Sequence, residues 1–526
     1  MRKTCILYFC ALFASLNAQT PSWQWVNKVC TYYSAYGAMA TDYSGNVYVA
    51  GRYYNGPVVI ENYTLTEGWP WSENLYMVKY DPTGKILWAK RIASAEGSIN
   101  VQELVCDNGG NAYIGGGYTD SLFQMGSSTF TSSGPSAYHS YTAKFDPDGN
   151  LTWAKILDGS SNEISDIDVD PLGNLIAIGG YWDSPLAVES ATLAYISYWN
   201  MFLIKYNTNG NLIWAKREDS KQFGFAGEVA FDKTGNFCMR YNSNGDFINK
   251  YDTSGNVLWT KKITDAENIQ NRQLICDSKL NIYYTSDDTL HKLDASGAEL
   301  YKKKLGQGNN LSTTANTQLM DIGVDYRDDV YLCGYYSYES MVVDTHTLLN
   351  SYSYQYYGPQ YGRNLFLVKL DPLGSAWWLK GAAGSFDHLS NALSIDRTGN
   401  VFLAGQTSSA TLSFDNKFMN SSTQFNSFIA RLGSGYFTGV AENDPAVAFE
   451  IYPIPASGFL NIEWRAELKS KFTITVYNAF SQIVYSRICY PAEATMTLNL
   501  DDFSKGIYFI ELKSGATTQV KKVVVN

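Results

Sequence analysis

Short apolar runs alternate with tight polar turns along almost the whole chain, and the alternation has the period of two expected of strands. In the first clear stretch Ala38 to Thr41 predicts a strand, Asp42-Tyr43-Ser44-Gly45-Asn46 a tight turn and Val47 to Arg52 a second strand. After a long loop, Leu75 to Tyr80 predicts a third strand, Asp81-Pro82-Thr83-Gly84 another turn and Lys85 to Ile92 a fourth. The turns have a mechanism: Asp accepts hydrogen bonds from turn amides, Pro presets the next φ, and Gly takes the positive φ that closes the loop. No stretch sustains helical periodicity.

This unit recurs. The phrase YDPTGKILWAK (Tyr80 to Lys90) returns with its aromatic at Trp153, Trp214, Trp259, Tyr301 and Trp378, six copies in all. The phrase DYSGNVYVAG (Asp42 to Gly51) occurs seven times, returning at Asp107, Asp170, Asp232, Asp277, Asp325 and Asp396. A recurring element of this size cannot bury its own apolar faces and must pack on copies of itself. A four-stranded antiparallel unit repeated radially is a propeller blade. The seventh outer copy is missing after Leu432 and is supplied by Trp23 to Lys28 at the other end, so this N-terminal strand is expected to complete the seventh blade and close the ring. The recurring Trp is expected to pack between blades. Lys90, Lys155, Lys216, Lys261, Lys303 and Lys380 fall on the outermost strand, where edge lysines discourage aggregation.

The geometry also sorts the loops. The DxxG turns share one face of the disc. Connections between strands two and three share the other, long in units one, two, three, six and seven and cut to hairpins near Asn242 to Gly245 and Ser286 to Thr289. Variable loops on a rigid scaffold are where binding residues sit. Two such loops are candidates: one displays Trp69 and Trp71, the other Tyr352, Tyr354, Tyr356, Tyr357 and Tyr361. Exposed aromatics stack on sugar rings or anchor a protein partner; the competing reading is that they cover the loops' own apolar surface.

Composition agrees: 526 residues, 17% charged, 15% aromatic and 40 tyrosines suit sheets joined by turns. Arg2 and Lys3, the apolar run Ile6 to Leu16 and the small residues before Gln19 predict a secretory signal peptide over 1–18, with no lipid anchor at Cys10. No later segment is apolar enough to span a membrane as a helix. The net charge of −10, about −12 without the signal, and the lack of a basic tract argue against nucleic acid. Six of the eight cysteines would remain, with no CxxC, and are expected to be buried thiols. His139, His291, His346 and His388 are scattered. No GxSxG elbow, phosphate loop or metal-ligand spacing appears, so no catalytic residue, metal or cofactor is assigned. Asp146 and Asp148 open like a calcium loop but lack its downstream ligands.

The paired phrases resemble bacterial seven-bladed propeller repeats of the SBBP type, over about residues 21 to 435. After a Gly-rich polar linker (436–445), residues 446–526 read as seven short strands suited to an immunoglobulin-like sandwich. Their phrases IYPIPASGFLNI (Ile451 to Ile462), ITVYNAFSQIVYS (Ile474 to Ser486), LDDFSKGIYFIEL (Leu500 to Leu512) and KKVVVN (Lys521 to Asn526) are similar to the type A C-terminal sorting domain of type IX secretion. The family usually has Asn at Ile454, Asp at Asn478 and Gly before Gln482. The resemblance implies that Gly506, Tyr508, Lys521 and Lys522 belong to the sorting signal and that an outer-membrane export machine, reached through the periplasm, is the partner. The cargo would be surface-attached or released.

These readings make the expected fold all-β: a seven-bladed β-propeller over 19–435 followed by the small sandwich. The expected role is a non-catalytic binding or adhesion module for a glycan or protein on the long-loop face. An exported glycan-processing hydrolase or lyase with carboxylates at the channel, and a purely structural envelope protein, stay open as alternatives.

Overall fold

The computed structural model describes residues 21–433 except 31–33, 55, 70–71, 121, 132–137, 158–159, 219–223, 244, 264–272, 307–316, 351–352, 356–358, 385–386 and 421–425, and residues 449–525 except 465–470, 479–482, 491–494, 501–502 and 515–516. The described residues form strands and turns and no helix. Two compact units divide the chain, one over Thr20–Gly435 and one C-terminal to it from Tyr436.

In the first unit, strands Ser34–Thr41, Val47–Tyr53, Glu73–Tyr80 and Ile86–Ala95 pair antiparallel in chain order. The same meander recurs, so that seven four-stranded sheets are present among the described residues, the first widened by the hairpin Leu122–Met125 and Ser128–Thr131. In the seventh sheet the outer position is filled from the far end of the unit. Trp23–Cys30 pairs antiparallel with Asn426–Leu432, with Trp25 opposite Arg431 and Lys28 opposite Phe428. The first strands of the sheets (Ser34–Thr41, Glu103–Cys106, Ser161–Val169, Gly224–Phe231, Leu274–Cys276, Thr317–Val324 and His388–Ile395) touch one another in series, and the seventh touches the first. Thr41 Oγ1 lies 2.8 Å from Ser394 Oγ at that last junction. Meanders arrayed around one axis are the β-propeller arrangement.

Neighbouring sheets are fastened by one repeated contact. The Trp88 ring lies against Gly149 of the next unit's outer turn, and its Nε1–H donates to Pro147 O at 3.1 Å. Trp153 meets Gly210 and Thr208 O, Trp259 meets Gly297 and Ala295 O, and Trp25 meets Gly84 and Pro82 O in the same way. A Cβ at Gly149 would sit 2.8 Å from the Trp88 ring, and φ there is +74°, so packing and backbone both require glycine.

The outer-strand lysines do something other than shield an edge. Where the next unit inserts a hairpin with an acidic tip, the lysine pairs with it: Lys155 with Glu189 at 2.6 Å, Lys303 with Asp344 at 2.7 Å and Lys380 with Asp415 at 3.1 Å. Where the next unit has no such acid, the ammonium donates to turn carbonyls instead, as Lys90 does to Asp148 O, Lys216 to Gly255 O and Lys261 to Gly297 O. These pairs are partly exposed and each contributes at most about 1 kcal/mol, so they set register between sheets more than they set stability.

The C-terminal unit has its own core, including Phe449, Trp464, Ile474, Ile510 and Val523. Its seven strands pair in one continuous order. Phe449–Ser457 joins the halves, antiparallel to Phe459–Trp464 along its first part and parallel to Thr517–Val525 at Ala456. Gly506–Ser514 pairs along its full length with Thr517–Val525, which places Tyr508 opposite Val523 and Phe509 opposite Lys522.

Trp153 is half-buried and seated on the next turn. Trp153→Ala is expected to lower unfolding free energy by about 2–4 kcal/mol, somewhat under the range for a fully buried Trp, measured by denaturant titration of the chain. A loss below about 0.5 kcal/mol would show that the contact is incidental.

Candidate functional site

Each inner turn is built around one aspartate. Asp42 Oδ1 accepts the Ser44 and Asn46 amides, both at 2.9 Å, and Oδ2 accepts Asn46 Nδ2 at 2.8 Å. Lys79, buried in the third strand, reaches the same oxygen at 3.5 Å and lies over the Tyr48 ring. The pair recurs as Lys144 with Asp107, Lys205 with Asp170, Lys250 with Asp232, Lys292 with Asp277 and Lys369 with Asp325. Burial works against ionisation of Asp170, but the Asn174 donors and the Lys205 ammonium outweigh it and hold the carboxyl below its usual range. Positive φ passes to Leu280 and Asp328 in the fifth and sixth turns, where the sequence lacks the glycine.

A different set of acids lines the axis. Four residues before each inner-turn aspartate stand Ala38, Glu103, Asp166, Glu228, Gln273, Asp321 and Ala392. Four of these seven positions are carboxylic, and Asp168 adds a fifth acid two residues further along its strand. Each inner strand of the first, third, fourth, sixth and seventh sheets carries a β-bulge at this point, which turns the side chain out of the plain alternation. Several of the acids reach the next sheet. Asp166 Oδ2 accepts Val229 N, Asp168 Oδ2 accepts Phe231 N and Asp321 Oδ2 accepts Leu393 N, each at 2.7 Å.

Burial pushes Asp168 and Asp321 up to about 7 and Glu228 up to about 8, and in Glu228 the charge of Glu103 adds to burial. Glu103 and Asp166 are pushed up as well, first by burial and then by neighbouring acids. Glu228 and Asp166 lie close enough that charge on Glu228 works against ionisation of Asp166, so the two carboxyls titrate as a pair. Among the described residues no three His, Cys, Asp or Glu converge as metal ligands. A cavity of about 310 Å³ lies at the turn end of this wall, between Cys106, Asp168, Asp170, Phe231 and Lys233.

On the opposite face the long connections turn out to be mostly hairpins. Val58–Ile60 with Tyr63–Leu65, Leu186–Val188 with Ala191–Leu193, Ser340–Val343 with His346–Leu349 and Thr411–Phe414 with Lys417–Asn420 each pair antiparallel. Their apolar sides are buried: Val58 and Ile60 pack with Val29, and Leu412 and Phe414 pack with Trp23. The outward sides of the hairpins stay open, with Val59, Leu349 and Phe418 exposed, as do the short segments beyond them.

The structure treats the expected aromatic residues unequally. Trp69 is half-buried in a turn tied by Ser72 and Asn74, and its indole N–H is enclosed without a hydrogen-bond partner. It therefore belongs to the loop's own packing more than to a display. Trp71, Tyr352, Tyr356 and Tyr357 lie outside the described residues. Tyr354 and Tyr361 fall on paired strands, Ser353–Gln355 and Pro359–Tyr361. The corresponding loop of the third sheet carries a cluster that sequence reading passed over. Tyr195 and Tyr198 are 39% and 60% exposed, and Trp182 and Trp199 meet at 4.4 Å between ring centroids. The buried Asn200 fixes this loop, its Oδ1 accepting the Ile196 and Ser197 amides and its Nδ2 donating to Ser197 O. The signal that could have found it was the aromatic density of AYISYW just before a strand.

Residues 450–526 match the family of secretion system C-terminal sorting domains, so the C-terminal unit is a sorting domain. More particularly, it is a signal for export by type IX secretion. An uncharacterized WD repeat-containing protein of Acanthamoeba polyphaga mimivirus is 25% identical over 189 residues, covering 30% of this chain and 14% of that protein. Among solved structures, the Dos1 propeller is 7% identical and covers 79% of this chain and 96% of its own, with a TM-score of 0.41. The WD40 domain of Neurospora crassa Pan2 is 11% identical and covers 64% and 89%, with a TM-score of 0.34. The propeller arrangement is defined by strand pairing and not by these distant likenesses.

The axial acids bind protons more tightly folded than unfolded, where their values lie near 4. Their contribution to stability is therefore fully present below about pH 4 and is lost as pH rises through 7–8. Asp170 and Asp232, held low, act in the opposite sense under strongly acidic conditions. Thermal midpoints are expected to fall from pH 5.5 to pH 8.5, and Glu228→Gln to flatten that slope while raising the midpoint at pH 8.5. An unchanged slope in Glu228→Gln would remove Glu228 from the effect.

Proposed function

We propose that the chain is an exported, surface-displayed or secreted seven-bladed β-propeller that acts as a non-catalytic binding or adhesion module for a glycan or protein ligand. In this reading each four-stranded sheet is a blade, and Trp23–Cys30 closes the ring. The C-terminal unit is an immunoglobulin-like sandwich that serves as the address, while residues 1–18 act as the signal peptide that brings the chain to the periplasm. The observation that carries the binding role is the pinned Tyr195–Trp199 loop, which exposes aromatic surface on the hairpin face. Flat rings held by a rigid scaffold stack on sugars or anchor a partner at small entropic cost. On a glycan array, the wild-type chain is expected to retain a ligand that Tyr195→Ala with Tyr198→Ala loses at least tenfold in affinity. Equal binding by both would place recognition elsewhere.

A second reading, a glycan-processing hydrolase or lyase, is favoured by the Asp166–Glu228 pair, because a carboxyl still protonated near neutrality is a general acid in waiting. Against it, Asp166, Asp168 and Asp321 are already engaged by backbone amides. Glycan turnover abolished by Glu228→Gln would establish the second reading over the first.

Export has its own test. Deleting residues 446–526 is expected to leave the propeller inside the cell, whereas the full chain reaches the surface or medium. Fractionation with mass spectrometry of the mature C-terminus reads both outcomes, and export of the truncated chain would overturn the address role.

A further inference from the structure

Cys238 and Cys276 meet across the boundary between the fourth and fifth sheets. Cys238 belongs to Phe237–Ser243, the second strand of the fourth sheet, and Cys276 ends Leu274–Cys276, the first strand of the fifth. The two strands are neighbours. Both side chains pack into one cluster with Ala230, Ile248 and Tyr284. The Cys238 thiol lies close enough to push the Cys276 thiol up, ahead of burial. The Lys250 ammonium stands beside both. Cys106, Cys333 and Cys489 belong to other clusters.

The two thiols also differ in access. Cys238 is fully buried, whereas Cys276 keeps partial exposure. Cys276 occupies the same place in its inner strand as Cys106, which borders the cavity at the turn end of the axis. One reachable thiol backed by one shielded thiol is the arrangement that thiol–disulfide exchange uses.

We propose that Cys238 and Cys276 are oxidised to a disulfide that cross-links the fourth and fifth sheets once the chain meets a disulfide-donating compartment. The oxidant is a small-molecule or protein disulfide, RSSR. The Cys276 sulfur, having given up its proton, attacks RSSR. An S–S bond forms to Cys276, the RS–SR bond breaks, and the first RS⁻ takes up the proton as RSH. The Cys238 thiolate then attacks the Cys276 sulfur of this mixed disulfide and displaces the second RS⁻, which leaves as RSH. Two thiols are oxidised and one RSSR is reduced to two RSH. The Lys250 ammonium offsets part of the penalty that Cys238 and burial place on the Cys276 thiolate the first step needs. The bond would add a covalent tie between two sheets otherwise held by packing and by hydrogen bonds such as those of Trp259 and Lys261. The compartment rests on the export reading above, but the chemistry does not, so a test with the purified chain separates the two.

The full-length chain is reduced, freed of reductant and exposed to oxidised glutathione, both folded and during refolding from denaturant. After alkylation and non-reducing digestion, mass spectrometry is expected to find the Cys238 peptide joined to the Cys276 peptide, about 2 Da lighter than their sum. Oxidised protein should unfold at a higher temperature than reduced protein. Cys276→Ser should abolish the joined peptide while leaving the unfolding of the reduced chain nearly unchanged. If both peptides remain fully alkylated in both arms, or if Cys238 joins another cysteine, the proposal is overturned. The refolding arm guards against a folded seam too tight to admit glutathione.

Discussion

The structure of the propeller unit depends on a carboxylate that has no spare lone pair. In six of the seven inner turns the aspartate spends one oxygen on turn donors and offers the other to a lysine from a strand two places away, in most turns joined there by an Asn amide. Both groups are largely buried, and each supplies part of the opposite charge and hydrogen bonding that the other's burial requires. The turn therefore does more than reverse the chain. It ties the first, second and third strands of a sheet together at one end and fixes the register from which everything outward is measured. Because the pair recurs from sheet to sheet, the inner turns stand at matching heights, and the Trp-on-glycine contacts can repeat further out.

Outside that frame, adjacent sheets are matched by parts that substitute for one another. A lysine on the outer strand takes an acidic hairpin tip where there is one, and a turn carbonyl where there is none. The hairpins themselves bury apolar sides between outer strands, so a unit without one leaves a shallower seam. This tolerance explains how the fourth and fifth sheets can keep tight connections while their neighbours carry long ones. What cannot vary is the glycine beneath Trp25, Trp88, Trp153, Trp214 and Trp259, because a side chain there meets an aromatic ring as well as a left-handed backbone.

Much of this was legible in the sequence, because the repeat exposes positions that a single copy would hide. The DxxGN and WAK phrases mark turns and outer strands that are present in the structure within a residue or two. In the C-terminal unit the alternation located strands such as Gly506–Ser514 closely. Other features were not legible, for identifiable reasons. Lys79 and its counterparts sit inside apolar runs, where a lysine reads as an edge residue until the turn aspartate is seen beneath it. The inner-strand bulges shift facing by one residue, so a strict period of two misplaces Glu228 and its equivalents. Cys238 and Cys276 belong to different phrases in different units, and nothing in their spacing signals contact. Trp69 looked displayed, but a loop's composition does not say which way its largest ring turns.

The repeated positions are consumed by structure, and this locates function by subtraction. The inner Asp and the strand-three Lys answer each other within the fold, and the outer Trp packs on the glycine of the next turn, so these positions serve the frame first. Chemistry must come from positions at which the units differ. Two sets qualify: the axial rung, which runs from alanine through glutamine to four acids, and the segments beyond the hairpins, of which the third sheet's carries exposed tyrosines. The first set is turned inward and largely answered by amides of the next sheet, which makes it a proton-dependent part of the scaffold. The second faces solvent on a loop held by Asn200. The periodic frame thus gathers its aperiodic chemistry among the described residues on one rung and one face, and the segments beyond the hairpins are the part of it that meets solvent most openly.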